Sequence, residues 1–307
     1  MPHAPDEPPR DSDGDAEAVI ALLSDPATHG GREVERVDTH VSHVFLAGDR
    51  AWKLKKPVRS NFLDFSTVAK REAACRRELE VNRIAGALYV GVTPVVRRGG
   101  ALRLGGEGEA VDWLVEMRRF DRSGELDRLA ERGALDLGVA EALADVVARM
   151  HRAAPRTPDY GGAARVGATI RQIAEGIVAA PRGGPLAEAA AAWRGAALDR
   201  LSREAAQLDA RRRHGFVRRG HGDLHLGNIV MLEGRPTPFD ALEFDEEMAS
   251  TDLLYDVAFT VMDLQERGLP GPANAFLGRY LAATRDYGGV NLLALFVSMR
   301  AAVRALV

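Results

Sequence analysis

The sequence predicts an α+β fold of two lobes, in which a front lobe built on an antiparallel sheet with one long helix precedes a mainly helical lobe. Residues 32–58 alternate between apolar and polar in the manner of strands, and the turn residues AGDR at 47–50 separate two such runs. From Gly124 onward, Ala- and Leu-rich helical periodicity dominates. A strand-rich front followed by a helix-rich back is typical of this fold class.

Composition limits the class of protein. The 307 residues, 46% of them hydrophobic, suffice for two domains with sizeable cores. The formal net charge of -3 gives no electrostatic reason to expect nucleic acid or a membrane as partner. A single cysteine, Cys75, excludes an internal disulfide and a multi-cysteine zinc site, and no uninterrupted apolar stretch reaches membrane-spanning length. We therefore expect a cytoplasmic protein.

The front lobe is predicted over residues 18–117. The preceding residues 1–17 are rich in Pro and Asp, without the apolar segment of a signal peptide, and predict a disordered tail. Helical spacing begins at about Ala18. After the strand pair, Ser66 or Thr67 is expected to cap a long helix that ends at Gly86. Three further strand-like runs, YVGVTPVVRR, ALRL and AVDWLVEMRRF, complete the predicted sheet.

The back lobe is predicted over residues 118–307. Helical periodicity covers 124–154 and 170–210, is broken by PRGGP at 181–185, and resumes after a loop-and-strand patch at 217–244. That patch contains the most informative stretch of the chain, HGDLHLGN.

The spacing of HGDLHLGN suits phosphoryl transfer. This chemistry needs a carboxylate that orients the attacking hydroxyl, and oxygen ligands that hold Mg²⁺ against the phosphates of a nucleotide. Asp223 can supply the first function, and Asn228 with Asp240 the second. Asn228 precedes an apolar run and Asp240 follows the next one, so we expect a hairpin to bring all three together.

The same stretch also allows a different enzyme. His221, Asp223 and His225 alternate, so on an extended segment they share one face, as the ligands of a metal-dependent hydrolase do. This alternative leaves Asn228 and Asp240 without a function.

HGDLHLGN resembles the catalytic loop of aminoglycoside-phosphotransferase-like enzymes, relatives of the protein kinases, and FDALEF resembles their metal-binding segment. THVSHVFL, AWKLKKPV, NFLDFS and CRRELEVNR resemble the nucleotide-binding lobe of one branch of that family. The resemblance implies a protein-kinase-like fold with its catalytic loop at 221–228 and its metal-binding segment at 239–245. It also implies ATP and Mg²⁺ as cofactors and nucleotide binding between the lobes. Larger members of that branch carry a further P-loop ATPase module, and this chain contains no such motif.

By the same resemblance, Lys53 contacts the nucleotide phosphates and Glu78 on the long helix pairs with it. The physical need is plain, because a flexible lysine has to be anchored before it can neutralise phosphate charge at one place. Lys55 lies on the same face of the strand and Glu72 on the same helix, so both remain alternatives. Lys53 and Glu78 are preferred.

The sequence departs from the protein-kinase pattern at the phosphate loop. G-x-G-x-x-G is missing between the first two strands, so the hydroxyls of Thr39 and Ser42 and backbone N–H groups are expected to contact the phosphates instead. The strand ending near Met117 is expected to offer backbone groups to the adenine.

The sequence therefore predicts a phosphotransferase that transfers the γ-phosphate of ATP to a hydroxyl of a small molecule, whose identity the sequence leaves open. Glu243 is expected to contact substrate or support the metal site. His221 is expected to bond the backbone near Asp240, and His225 is a loop residue without an assigned role. Two alternatives remain, namely a kinase-like module that binds nucleotide without transferring phosphate, and the hydrolase described above.

Overall fold

The computed structural model describes residues 13–59, 63–180 and 184–306. The chain forms two compact units. Unit 1 extends to Asp121 and also includes Glu243–Asp245, and unit 2 comprises 122–242 and 246–307. The α+β class is confirmed, since unit 1 contains the large antiparallel sheet and unit 2 is mainly helical.

Unit 1 is a six-stranded antiparallel sheet with two α-helices among its described residues. The strands are β1 (Val34–Asp38), β2 (Ser42–Ala47), β3 (Arg50–Lys55), β4 (Tyr89–Arg98), β5 (Ala101–Leu104) and β6 (Glu109–Arg118), and the helices are α1 (Asp13–Ser24) and α2 (Val68–Val81). The strand order is β1-β2-β3-β6-β4-β5. The predicted turn between β2 and β3 is confirmed: Gly48, with φ of 58°, and Asp49 connect the paired residues Ala47 and Arg50.

The core of unit 1 lies between the sheet and α1. Apolar side chains of alternate strand positions meet two from the helix: Phe45, Trp52, Leu54, Val95 and Leu114 with Val19 and Leu23. The helix begins at Asp13, five residues before the predicted start, so residues 13–17 are helical rather than part of a tail. An ion pair between Asp15 and Arg97 of β4 holds that first turn. Residues 1–12 lie outside the described residues.

Helix α2 begins as predicted, because the Thr67 hydroxyl caps it by accepting a hydrogen bond from Lys70 N. It ends at Val81, five residues before the predicted stop at Gly86. The Asn82 side chain donates to the carbonyl of Glu78 and satisfies the last turn, so no glycine is needed there.

Unit 2 contains eight helices and four short strands among its described residues. The helices are α3 (Leu126–Glu131), α4 (Leu137–Ala153), α5 (Gly162–Ala179), α6 (Ala187–Arg213), α7 (Glu246–Ala249), α8 (Leu253–Glu266), α9 (Pro270–Thr284) and α10 (Leu293–Leu306). The strands are β7 (Val217–Arg219), β8 (Ile229–Leu232), β9 (Arg235–Pro238) and β10 (Ser250–Asp252). Helix α5 begins eight residues before the predicted position, and most of the predicted break at 181–185 lies outside the described residues.

The predicted hairpin after HGDLHLGN is confirmed. Strands β8 and β9 pair antiparallel, with Ile229 opposite Pro238. Glu233 and Gly234 form the two-residue turn with φ of 50° and 75°, the left-handed conformations that suit the twist of a hairpin. Asn228 immediately precedes the first strand, and Asp240 follows the second.

Helix α8 is the central helix of unit 2, and every residue from Leu253 to Leu264 is buried. Residues 287–306, which include α10, are long and apolar enough to cross a membrane by length and composition alone. Core helices of soluble proteins meet the same criterion, and Leu295, Phe296 and Met299 of this segment are buried in the core of unit 2.

Candidate active site

The loop at residues 221–228 connects β7 to β8 and presents Asp223. The carboxylate is partly exposed. Its Oδ2 accepts a hydrogen bond from Asn228 Nδ2 at 2.9 Å and lies 3.4 Å from His225 Nε2. Both contacts use the same oxygen. No described residue donates a hydrogen bond to Oδ1, so this oxygen can accept a further hydrogen bond.

Asp223 is ionised at neutral pH. Burial alone would raise its pKa, but the hydrogen bond from His225 and the electrostatic influence of the nearby His225 and His221 imidazoles hold the pKa below its ordinary value. Since Gly227 N donates to His225 Nδ1 at 3.1 Å, Nδ1 acts as an acceptor and the donor nitrogen of the ring is Nε2, the atom that faces Asp223. His225 thus orients the carboxylate.

Asn228 and Asp240 offer the oxygen ligands that Mg²⁺ prefers. The Asn228 amide nitrogen donates to the carbonyl and carboxylate of Asp223, so its Oδ1 points away from these partners. Phe239 N donates to Asn228 O at 2.9 Å and brings the residue before Asp240 beside the loop. Asp240 itself has a φ of 59°, a conformation uncommon for residues other than glycine. The donor set fits a magnesium ion.

His221 joins the loop to the backbone beside Asp240. Its Nε2–H donates to Phe239 O at 3.0 Å, and its Nδ1 faces Asp223 N at 3.4 Å. Burial holds its pKa below the ordinary value, so the ring is neutral. Both ring nitrogens are engaged with the backbone. Over the described parts of the chain, no group of three or more His, Cys, Asp and Glu side chains is placed to hold a metal. The geometry thus gives no support to the hydrolase alternative.

Asp256 of α8 fixes the start of the loop. Its carboxylate accepts hydrogen bonds from His221 N at 2.6 Å and Gly222 N at 3.0 Å, and from His151 Nε2 at 3.2 Å. Burial would raise its pKa, but the hydrogen bond from His151 and electrostatic interactions with His151, His221 and Arg300 lower it to about 2. An ionised, fully buried acceptor therefore holds two consecutive N–H groups of the loop.

Two more side chains of the same helix hold the rest of the loop. Thr260 donates to Leu224 O at 2.7 Å, and Asp263 accepts from Leu226 N at 2.8 Å. Neither Thr260 nor Asp263 was predicted from the sequence as a residue that supports the loop. Their signal is the placement of Asp256, Thr260 and Asp263 at i, i+4 and i+7, which makes a polar stripe along an apolar helix.

In unit 1, Glu78 of α2 pairs with both candidate lysines of β3. Glu78 Oε1 lies 3.0 Å from Lys53 Nζ, and Oε2 lies 2.7 Å from Lys55 Nζ. Lys55 also contacts Glu243, at 2.5 Å. The alternative acid Glu72 forms an exposed pair within its own helix instead. Glu78 is thus the acid at this position, but it serves two lysines rather than one.

The hydroxyls of Thr39 and Ser42, which were predicted to contact the phosphates, have other surroundings in the structure. The Thr39 hydroxyl accepts from Ser42 N and donates to Ser42 O, inside the β1–β2 turn. The Ser42 hydroxyl is buried and has no hydrogen-bond partner among the described residues. Neither hydroxyl is therefore presented to a phosphate in this conformation, so backbone N–H groups remain the candidates. Met117 lies near the end of β6 and pairs with Ala51 of β3 and Tyr89 of β4.

The acidic residues after Asp240 are largely neutralised by ion pairs. Glu243 pairs with Lys55 in unit 1. In unit 2, Glu246 lies 3.0 Å from an Arg219 nitrogen, and Glu247 lies 2.6 Å from Arg165. Glu243 is therefore engaged with a lysine, and this stretch does not offer three free carboxylates to a cationic ligand.

Comparison with known proteins identifies the family. The model of the phosphotransferase enzyme family matches residues 47–293. Uncharacterized proteins of Mycobacterium tuberculosis and Mycobacterium bovis are 32% identical over 277 residues, which cover 87% of this chain and 53% of theirs. The chain thus spans about half the length of the curated relatives it matches.

Two solved structures are similar to this chain, and the first of them supports the fold. Choline kinase from Cryptosporidium parvum is 11% identical, with a TM-score of 0.51 over 96% of this chain and 86% of that chain. An aminoglycoside-3'-phosphotransferase of type VIII is 20% identical, with a TM-score of 0.48 over 96% of this chain and all of the other.

Proposed function

Because this chain belongs to the phosphotransferase enzyme family, we propose that it transfers the γ-phosphate of ATP to a hydroxyl group of a small molecule. The observation that carries the proposal is the arrangement around Asp223. One carboxylate oxygen is held by Asn228 and faces His225, while the other has no donor among the described residues.

In the proposed reaction, Asp223 Oδ1 accepts a hydrogen bond from the acceptor hydroxyl and aims the hydroxyl oxygen at the γ-phosphorus. A new O–P bond forms, the bond from the γ-phosphorus to the bridging oxygen breaks, and ADP leaves. The hydroxyl proton passes through Asp223 to solvent. Because the lowered pKa makes this carboxylate a weak base, its contribution is mainly orientation, as a loose transition state requires.

The remaining side chains stabilise charge. Lys53, anchored by Glu78, is proposed to neutralise phosphate oxygens. Asn228 Oδ1 and Asp240 would hold Mg²⁺, which offsets the negative charge of the triphosphate when bound.

Calorimetry with MgATP tests the proposal. The wild-type chain is expected to bind MgATP, and excess EDTA should weaken this binding. In the Asp240→Ala variant, EDTA should no longer change the affinity for ATP. The Asp223→Asn variant should bind MgATP like wild type but lose turnover. A wild-type chain without MgATP affinity, or an Asp240→Ala variant that binds like wild type, contradicts the proposal.

For the acceptor, we propose a hydroxyl compound that is not a polycation. Glu243, Glu246 and Glu247 each have a basic partner within their own unit, so an amino group that binds any of these carboxylates has to displace an ion pair. A screen for phosphorylated product across sugars, amino alcohols and aminoglycosides checks this, and the highest kcat/KM on an aminoglycoside would refute it.

A nucleotide-binding module without transferase activity is the second candidate. The engaged Thr39 hydroxyl and the buried Ser42 hydroxyl favour it, because they leave the phosphate turn without its predicted side-chain contacts. Tight MgATP binding without product from any acceptor would select this candidate.

The cellular location of the protein and a further module are also proposed. The balance of charge and the single buried Cys75 support a cytoplasmic protein without nucleic-acid or membrane partners. The length of the relatives supports a second module, for which the resemblance suggests a P-loop ATPase. Copurification of the full-length protein with its nucleotide, from the soluble fraction, checks both points.

A further inference from the structure

Unit 1 contains a buried cluster of two lysines and two glutamates, of which the family chemistry uses only one pair. Lys53 and Lys55 extend from the same face of β3, Glu78 comes from α2, and Glu243 comes from the segment that returns to unit 1. The Lys55 side chain is 1% exposed, whereas that of Lys53 is 14% exposed. Lys53 is therefore the lysine with access to a ligand.

The charges in the cluster balance, two positive against two negative. Glu78 divides its two oxygens between the two lysines. Lys55 completes its surroundings with Glu243 at 2.5 Å and with the ring of Phe65, whose centroid lies 4.8 Å from Nζ. A buried ammonium needs such partners, because an uncompensated buried charge is costly. Without Glu243, Lys55 would draw more strongly on the carboxylate that anchors Lys53.

We infer that Lys55 and Glu243 are positioning residues, whose ion pair keeps one oxygen of Glu78 on Lys53 and so sets the affinity for nucleotide phosphates. This inference rests on the proposed function. Neither residue contacts the nucleotide, and both act through Glu78.

The protonation states agree with this division of roles. Burial would lower the pKa of Lys55, but Glu78 and Glu243 raise it above its ordinary value, so the lysine is charged. Burial would raise the pKa of Glu78, but its two lysines lower it to about 2. Burial and the charge of Glu78 raise the pKa of Glu243, which has one lysine partner. Glu78 is thus the anion that the two lysines hold most firmly in its charged form.

The test compares the affinity for MgATP with the affinity for adenosine, which has no phosphates. Glu243→Gln is nearly isosteric and should weaken MgATP binding about tenfold, equivalent to about 1.4 kcal/mol, with adenosine binding unchanged. Lys55→Met should also weaken MgATP binding, because Glu243 loses its lysine partner and then competes with Glu78 for Lys53. The double variant Lys55→Met/Glu243→Met removes a balanced pair, so Glu78 serves Lys53 alone and most of the affinity returns.

Lys70→Met provides the matched control, since Lys70 pairs with Asp64 at the surface of the same unit and should leave both affinities unchanged. A Glu243→Gln variant that binds MgATP like wild type, or that loses adenosine and MgATP equally, overturns the inference alone. A double variant no better than the singles also overturns it. If Lys55→Met does not fold, Glu243→Gln and the double variant still decide. A wild-type chain that binds no MgATP overturns the proposed function as well.

Discussion

Replacing Asp256 tests how the catalytic loop is held. This fully buried carboxylate accepts two backbone N–H groups of the loop and one imidazole N–H. In Asp256→Ala those donors lose their acceptor, and the nearby Arg300 guanidinium, 3.8 Å away, loses its counter-charge. We expect a large loss of stability. Because Asp223 directly follows Gly222, whose N–H group Asp256 holds, we also expect a loss of turnover.

Two routes give the magnitude. The pKa falls from 3.8 to about 2, and each unit is about 1.4 kcal/mol, so ionisation of the carboxylate contributes about 2 kcal/mol. Removing one partner of a buried charged network costs about 3–5 kcal/mol. The second figure is larger because a protonated acid can still accept hydrogen bonds, whereas alanine cannot. We expect about 3–5 kcal/mol for Asp256→Ala.

The pH dependence follows from the lowered pKa. A carboxyl group that is more acidic when folded stabilises the fold above its unfolded pKa of about 4. This contribution is lost as the pH falls through about 2. The difference in stability between wild type and Asp256→Asn should therefore be constant near neutral pH and shrink in acid.

Urea unfolding followed by circular dichroism measures these quantities. Asp145→Asn is the matched control, because that carboxylate pairs with Arg279 at the surface and should change stability little. A loss below about 1 kcal/mol for Asp256→Ala, within the usual effect of a surface substitution, would refute the reasoning.

Two further substitutions test the contacts that stabilise unit 2. Gly222→Ala imposes a side chain on a residue with a φ of 83° and puts the new Cβ 3.0 Å from Leu242 Cβ. We therefore expect the free energy of unfolding to fall by about 1–3 kcal/mol, with reduced turnover. A variant with the thermal stability of the wild type would contradict this. Arg211→Met leaves the buried carboxylates of Asp252 and Asp286 without their shared cation. The free energy of unfolding in urea should therefore fall by about 3–5 kcal/mol. Arg279→Met, which removes an ion pair at the surface, is the control and should have little effect.

The local pattern of apolar and polar residues determines much of the fold. Strand alternation predicts β2 and β3, and the Gly48–Asp49 turn pairs them. Positions that depend on capping partners were predicted less well. Helix α2 ends at Val81 because the side-chain amide of Asn82 satisfies its last turn, and hydrophobic periodicity does not contain that information.

At the candidate site, the sequence by itself determined which residue types are present and that Asn228 and Asp240 flank a hairpin. Only the tertiary structure decided that Glu78 serves both Lys53 and Lys55, and that Glu243 neutralises the second of them. The physical reason is that the partners of a buried charge are selected by distance and desolvation, and the groups involved here lie 23 to 188 residues apart in the chain.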